Sequence, residues 1–308
     1  RKRMKKIFLL AAVFFVLQSF AQQKHPSFMQ QGNIYEVNIR QYTPEGTFNA
    51  FAKHIPRLKK MGVQTLWLMP IQPISNFGRK GTLGSYYAVA DYTAINPEFG
   101  TMNDFNNLIK QAHDLGMKVI IDYVPNHSGA DHPWLTTHPD FYEKDSTGKP
   151  TFTADWSDTR ELNFENKEMQ DSMINTMKFW VNKTKIDGFR VDVAWGVPNT
   201  FWTRCLNDLK SIRPLFFLAE ADDAKLHETG FDATYTWTEF HVLNDIAAGK
   251  KNVLALDTVL NKIETDFETL DTSTLSDMID ILGLLNTNIQ THIQKLKNQE
   301  LYQTSYRR

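Results

Sequence analysis

The chain has 308 residues, 42% hydrophobic and 22% charged, with a formal net charge of −1. This is the balance of a soluble globular protein with no basic bias toward nucleic acid, and the length suits one large domain or two smaller ones. The single cysteine, Cys205, excludes an intrachain disulfide; it lies in the helical pattern "FWTRCLNDLKSI", where a buried, inert thiol is expected.

The first predicted element is a targeting segment. From Met4, "MKKIFLLAAVFFVLQSFAQQ" joins a basic start (Lys5, Lys6) to an apolar run (Ile7 to Val16) and a small-x-small cleavage site at Ser19-Phe20-Ala21. The run falls short of the roughly 20 residues of a spanning helix, and no cysteine follows it for a lipid anchor. The expectation is a signal peptide over residues 1–21 and a periplasmic or secreted protein, with no stable membrane anchor after cleavage.

Strand and helix patterns alternate from there. "NIYEVNIR" (33–40) predicts a strand, and "TFNAFAKHIPRLKKMG" predicts one amphipathic helix stopping at Gly62. "VQTLWLMP" (63–70) is nearly all apolar, as a strand covered on both faces is. "TMNDFNNLIKQAHDLGM" predicts a helix capped around Thr101 to Asp104, and "KVIIDYV" (118–124) another apolar strand. "IDGFRVDV", "LFFLAEA" and "DATYTW" (232–237) predict three more, with helices between. Six strands in β-then-α order suit a doubly wound parallel sheet or a closed (β/α)8 barrel. One connection, "NHSGADHPWLTTHPDFYEKDSTGKPTFTADWSDTRELNF" (126–164), is too long for a plain βα loop and reads as a small inserted subdomain. The predicted layout is strands 1–3 over 22–126, the insertion over 127–165, strands 4–6 over 166–266 and an atypical tail over 267–308.

Charged and polar groups gather at strand ends. The third strand ends in Asp122, followed by Asn126 and His127; the fourth carries Arg190 and Asp192; the fifth ends in Glu220. The earlier loop "GSYYAVADY" holds Tyr87 and Asp91. In an α/β barrel these positions converge on one face. Taken singly, each has an ordinary reading. Asp122 could cap a helix, His127 could be a satisfied loop histidine, Arg190 with Asp192 could be a structural ion pair, Glu220 a solvated strand end and Tyr87 core packing. Their shared position argues for a site. Two carboxylates with an arginine between them suit retaining glycoside hydrolysis, which needs an ionised nucleophile and a protonated acid about 5 Å apart. Arg190 is expected to keep Asp192 ionised, and Glu220, ending an apolar strand, to hold its proton.

These residues resemble a known family. "DYVPNH" (122–127), "GFRVDVAWG" (188–196) and "FFLAEA" (216–221) are similar to the first three signature regions of the α-amylase family, glycoside hydrolase family 13. "GSYYAVADYTAINPEFGT" (84–101) is similar to the stretch after that family's second strand. The resemblance covers about Gly32 to Lys262. It implies a (β/α)8 TIM barrel with a short domain B inserted after strand 3, and a secreted enzyme acting on α-glucans such as starch and maltooligosaccharides. It implies that Asp192 is the nucleophile, Glu220 the acid/base and Arg190 the arginine that orients the nucleophile. His127 and Tyr87 match groups lining the sugar subsite, and Asp122 a strand-end aspartate that orders the site. Asn126 matches a residue that in many members ligates a structural calcium; one oxygen falls far short of the 6–8 that calcium takes, so calcium is left open. No organic cofactor is implied. Trp134, Trp156 and Trp195 are candidates for sugar stacking or for packing.

The family's fourth signature, Asn-His-Asp at the end of strand seven, occurs nowhere in the chain. After "KNVLALDTVLNKIETDF" nothing resembles strand seven, strand eight or a C-terminal β-domain, so these are expected to be missing. A shortened protein, with open sheet edges, and a frameshift near Phe267 both account for this. Read out of phase, Asp277-Met278-Ile279 can spell His-Asp, but the codon before it would end in GA and cannot be Asn. For the shortened protein, Leu282 to Lys297 is expected to cover the open edge as a helix. Lost transition-state contacts are costly, so little or no activity is expected of the 308-residue chain. Two alternatives stay open. One is a non-catalytic carbohydrate-binding or accessory protein, which would have no need of an acid/base pair. The other is an α-glucosidase or transglycosylase member of the same family.

Overall fold

A computed structural model of the chain describes residues 26–29 and 32–270. The predicted signal segment Met4–Ala21, the stretch Asp277–Ile279 and the predicted tail helix Leu282–Lys297 lie outside the described residues. Eight strands follow one another: β1 (Ile34–Val37), β2 (Thr65–Leu68), β3 (Lys118–Tyr123), β4 (His127–Gly129), β5 (Thr159–Glu161), β6 (Gly188–Val191), β7 (Phe216–Ala219) and β8 (Ala233–Thr234). Six form one sheet in the order β1-β2-β3-β6-β7-β8, every pair parallel. With its crossover helices this sheet is a partial (β/α)8 TIM barrel. Barrel strands seven and eight are not among the described residues, and within those residues β1 and β8 each pair on one side.

Strand alternation sorts the side chains into two environments. Leu66, Leu68, Val119, Ile121, Phe189, Val191 and Phe217 turn outward and join the core built with the helices. That core includes Phe105 and Leu108 of the helix Met102–Asp114, Met177 and Trp180 of Lys167–Lys183, and Phe201 and Leu209 of Asn199–Ile212. Ile120, Phe216 and Leu218 form a second, inner cluster, with Trp67, Ala233 and Tyr235 packed against it. In-register pairing sets Asp122 opposite Arg190, and Arg190 opposite Leu218. Two strand charges therefore face the barrel interior, and the apolar residues between them face the helices.

Several predicted elements change at their ends. The first strand stops at Val37 because the Asn38 side chain accepts the Gln41 N–H at 3.2 Å and caps a short helix, Ile39–Tyr42. The single helix expected up to Gly62 is two, Phe48–Ala52 and Ile55–Lys60. Pro56 has no N–H to donate back to Ala52, so the first cannot run through it. "DATYTW" contributes only a two-residue strand, and Trp237 already starts the helix Trp237–Ala247. The helix Met102–Asp114 begins as expected, with a reciprocal capping box between Thr101 and Asp104.

The stretch after β3 carries its own antiparallel pair, β4 with β5, and a short helix, Trp134–Thr137. Gly129 anchors it. Its N–H donates to the Val89 carbonyl at 2.7 Å, and an added Cβ would lie 2.6 Å from the Ser75 Cβ. At the other end, the helix Leu254–Glu268 runs through the boundary expected near 267. Phe240, Leu243, Val253 and Leu254, in this last helical region, are all more than half exposed. Among the described residues no helix is long and apolar enough to cross a membrane.

Candidate active site

The interior charges meet at the C-terminal ends of β3, β6 and β7. Arg190, 4% exposed, is their centre. Its Nη1 donates to Asp122 Oδ1 and to Asp192 Oδ1, both at 2.9 Å, and its Nη2 pairs with Glu220 Oε1 at 2.9 Å. Its Nε donates to the Tyr235 hydroxyl at 3.1 Å. The guanidinium lies over the rings of Trp67, Tyr235 and Tyr87, 5.1, 5.5 and 6.0 Å from their centroids. An always-charged planar fork suits this place, because it meets three carboxyl groups at once.

Each carboxyl group has a different surrounding. Asp122 is fully buried and also accepts from Trp67 Nε1 at 3.2 Å and the Tyr87 hydroxyl at 3.4 Å. Burial pushes it up to about 7, against the pull of Arg190. Asp192 is raised well above the usual carboxylate range by burial and by the neighbouring charge of Asp122, and Arg190 opposes both. Arg190, expected to keep Asp192 ionised, lowers it against these two causes, with its single charge shared among three acids. Glu220 is the most open of the three. Its Oε2 accepts the Val193 N–H at 2.8 Å. Val193 reaches that position with a φ of 47°, in the left-handed region where a β-branched residue is strained.

Asp192 and Glu220 line a cleft of about 270 Å³ with Tyr87, His127, Trp156 and Asp158. His127 is buried and accepts from the Asn126 amide at 3.2 Å; burial lowers it to about 4, so the ring is neutral near pH 7. The Trp156 ring lies 5.5 Å from that of His127. Trp134 instead packs on Tyr92 and Phe141, and Trp195 is 60% exposed. Asp91 does not join the cleft; its Oδ1 accepts the Thr93 N–H and hydroxyl within a turn. Trp67, Tyr235 and Val193 were not singled out by sequence reasoning. The signal that finds the first two is parity along the strands, which places them on the inward face with Arg190.

Asn126, the residue that matches a calcium ligand of the family, lies beside His127 and Gly196. Its amide nitrogen bonds His127, and its oxygen lies against Gly196, where an added Cβ would come within 2.7 Å. Among the described residues, no group of three or more His, Cys, Asp or Glu is arranged to hold a metal.

Comparison with known proteins matches this arrangement. The family model "Alpha amylase, catalytic domain" matches residues 18–156 and 151–210. Alpha-amylase 3 of Dictyoglomus thermophilum is 33% identical over 217 residues, 60% of this chain and 42% of that protein. An alpha-1,4-glucan:maltose-1-phosphate maltosyltransferase of Rhodospirillum rubrum is 31% identical over 234 residues, 66% of this chain and 34% of that protein. The crystal structure of an alpha-amylase from Lactobacillus plantarum superposes with a TM-score of 0.73 at 33% identity, covering 79% of this chain and 61% of that one. The chain thus spans less than half the length of these two curated relatives. With the arginine-centred acids at the barrel's strand ends and a catalytic-domain model matching over most of the same residues, the chain belongs to the alpha-amylase family.

Proposed function

We propose that this cleft cleaves α-glucans, such as starch chains and maltooligosaccharides, by a retaining mechanism with Asp192 as nucleophile and Glu220 as acid/base. The observation that carries the reading is the sharing of one guanidinium by both carboxyls, on Nη1 and Nη2. Adjacent nitrogens of a rigid fork favour the close spacing of a retaining pair, about 5 Å, over the wider gap that lets a water between the groups. Three acids around one cation resist full ionisation, so the cluster retains a proton. The glycosidic oxygen takes its proton from Glu220, the most exposed of the three, while ionised Asp192 attacks the anomeric carbon; the proton that burial favours on Asp122 is not the one transferred. Water then releases the sugar with Glu220 as base. Tyr87 and His127 wall the reacting sugar, and Asp122 holds Arg190 in place. Export from the cytoplasm is part of the reading and rests on the segment Met4–Ala21.

The roles separate by leaving group. Relative to the low rate expected of the 308-residue chain, Glu220→Gln should lower maltooligosaccharide cleavage about 10²- to 10⁴-fold yet keep the first release of fluoride, which departs without a proton, from α-glucosyl fluoride. Asp192→Asn should lose both. Equal loss of both substrates in Glu220→Gln would sink the assignment. Similarity to a maltosyltransferase favours a second reading, in which a sugar acceptor takes the place of water after the same first step. Product analysis with added maltose distinguishes the two.

A further inference from the structure

We infer that Asp158, on the wall of the cleft built by the inserted segment, is a substrate-binding residue that accepts hydrogen bonds from the hydroxyls of a glucosyl unit; this rests on the glucan reading above. Asp158 is 3% exposed and lines the same cleft as Asp192 and Glu220. Its Oδ2 is buried and has no hydrogen-bond partner. A buried carboxyl oxygen without a donor is costly and rare in folded proteins, and a cleft lining is where a ligand can supply the donor.

The residue is not loosely placed. Its backbone carbonyl accepts the Ala130 N–H at 2.9 Å, and the loop at Gly78 lies so close that an added Cβ would sit 3.5 Å from the Asp158 Cα. Three of the nearby donors are engaged elsewhere. Lys80, the one cation of the cleft lining, pairs with Asp155 at 3.1 Å. The Tyr87 hydroxyl turns to Asp122, and the Thr159 hydroxyl donates to the Trp156 carbonyl at 2.8 Å. A hydroxyl of a bound ligand can supply the missing donor. The wall offers carboxyl oxygens as acceptors on Asp158, Asp192 and Glu220, which suits the hydroxyls of a neutral polyol. Trp156, two residues earlier, offers that same ligand an apolar ring face.

The test is calorimetric titration of maltotetraose onto the 308-residue chain carrying Asp192→Asn, which stops turnover. Adding Asp158→Ala should weaken binding about tenfold or more. Asp158→Asn, nearly the same shape, should weaken it by less, and the ligand-free melting temperature should not fall in either. Unchanged binding in both variants overturns the inference and leaves the glucan reading standing. A parent that binds no maltooligosaccharide overturns both. Loss of the ligand-free melting transition in both variants shows a structural role and overturns the inference, as does a calcium titration, without sugar, whose binding disappears with Asp158→Asn.

Discussion

Arg190 carries one charge and meets three carboxyl groups, so full ionisation would leave negative charge uncompensated in the barrel interior. The retained proton makes stability depend on pH. Asp122 sits at about 7 in the fold against an ordinary 3.8. A folded value above the unfolded one means that its stabilisation is full below about 4 and is lost as pH rises through 7. His127 and His132 run the other way. Burial lowers both from 6.5 to about 4, so their stabilisation holds above 6.5 and is lost as pH falls through 4. The opposing effects share one window, and Asp122→Asn removes the first together with the charge that helps raise Asp192. The variant's urea midpoint should therefore fall more steeply than the wild type's between pH 7 and 4; parallel curves would show that Asp122 holds no proton. Asp122, Arg190, Asp192 and Glu220 were legible in the sequence because charges on apolar strands stand out. Trp67 and Tyr235 were not, because an aromatic residue on such a strand reads the same whether it faces the helices or the arginine. Asp158 was hidden for another reason: one aspartate among several in a polar loop becomes buried only through contacts with Ala130 and Gly78, distant in sequence.

At the scale of elements, the apolar strand runs and the capped helix were readable because burial on both faces and a capping box leave local marks. Where a helix was expected whole, Pro56 was the overlooked sign. The shortest strand, β8, escapes local reading, since two residues pair only because β7 is already placed. The most exacting junction lies between β6 and β7. A Cβ added at Gly188 would come 1.9 Å from the Phe216 carbonyl oxygen, which is backbone and cannot rotate away. Gly188→Ala must push the two strands apart, and with them Arg190 and Glu220. The expected cost is at the upper end of overpacking, about 3 kcal/mol or more, read as a lowered urea midpoint or as loss of soluble protein. A midpoint equal to that of the wild type would mean that these strands are not so closely spaced.

For the whole molecule, two features invite association. Among the described residues the sheet has one unpaired side at β1 and one at β8, and Phe240, Leu243, Val253 and Leu254 offer exposed apolar surface. The 308-residue chain should scatter light as a species larger than its 35.6 kDa, and Phe240→Glu with Leu243→Lys should reduce that mass. A monomer in both forms would show that this surface is not sticky in solution. The sheet's register has a further consequence, for inheritance. Asp122 and Arg190 share a rung although the whole inserted segment lies between them in the chain. Lengthening, shortening or replacing that segment leaves the rung intact, whereas deleting one residue inside β3 or β6 turns every later side chain of that strand to the other face. The wall of the cleft can thus drift freely while the acids stay where they are. A lineage built on this frame can change the shape and lining of its cleft much faster than the spacing of its acids.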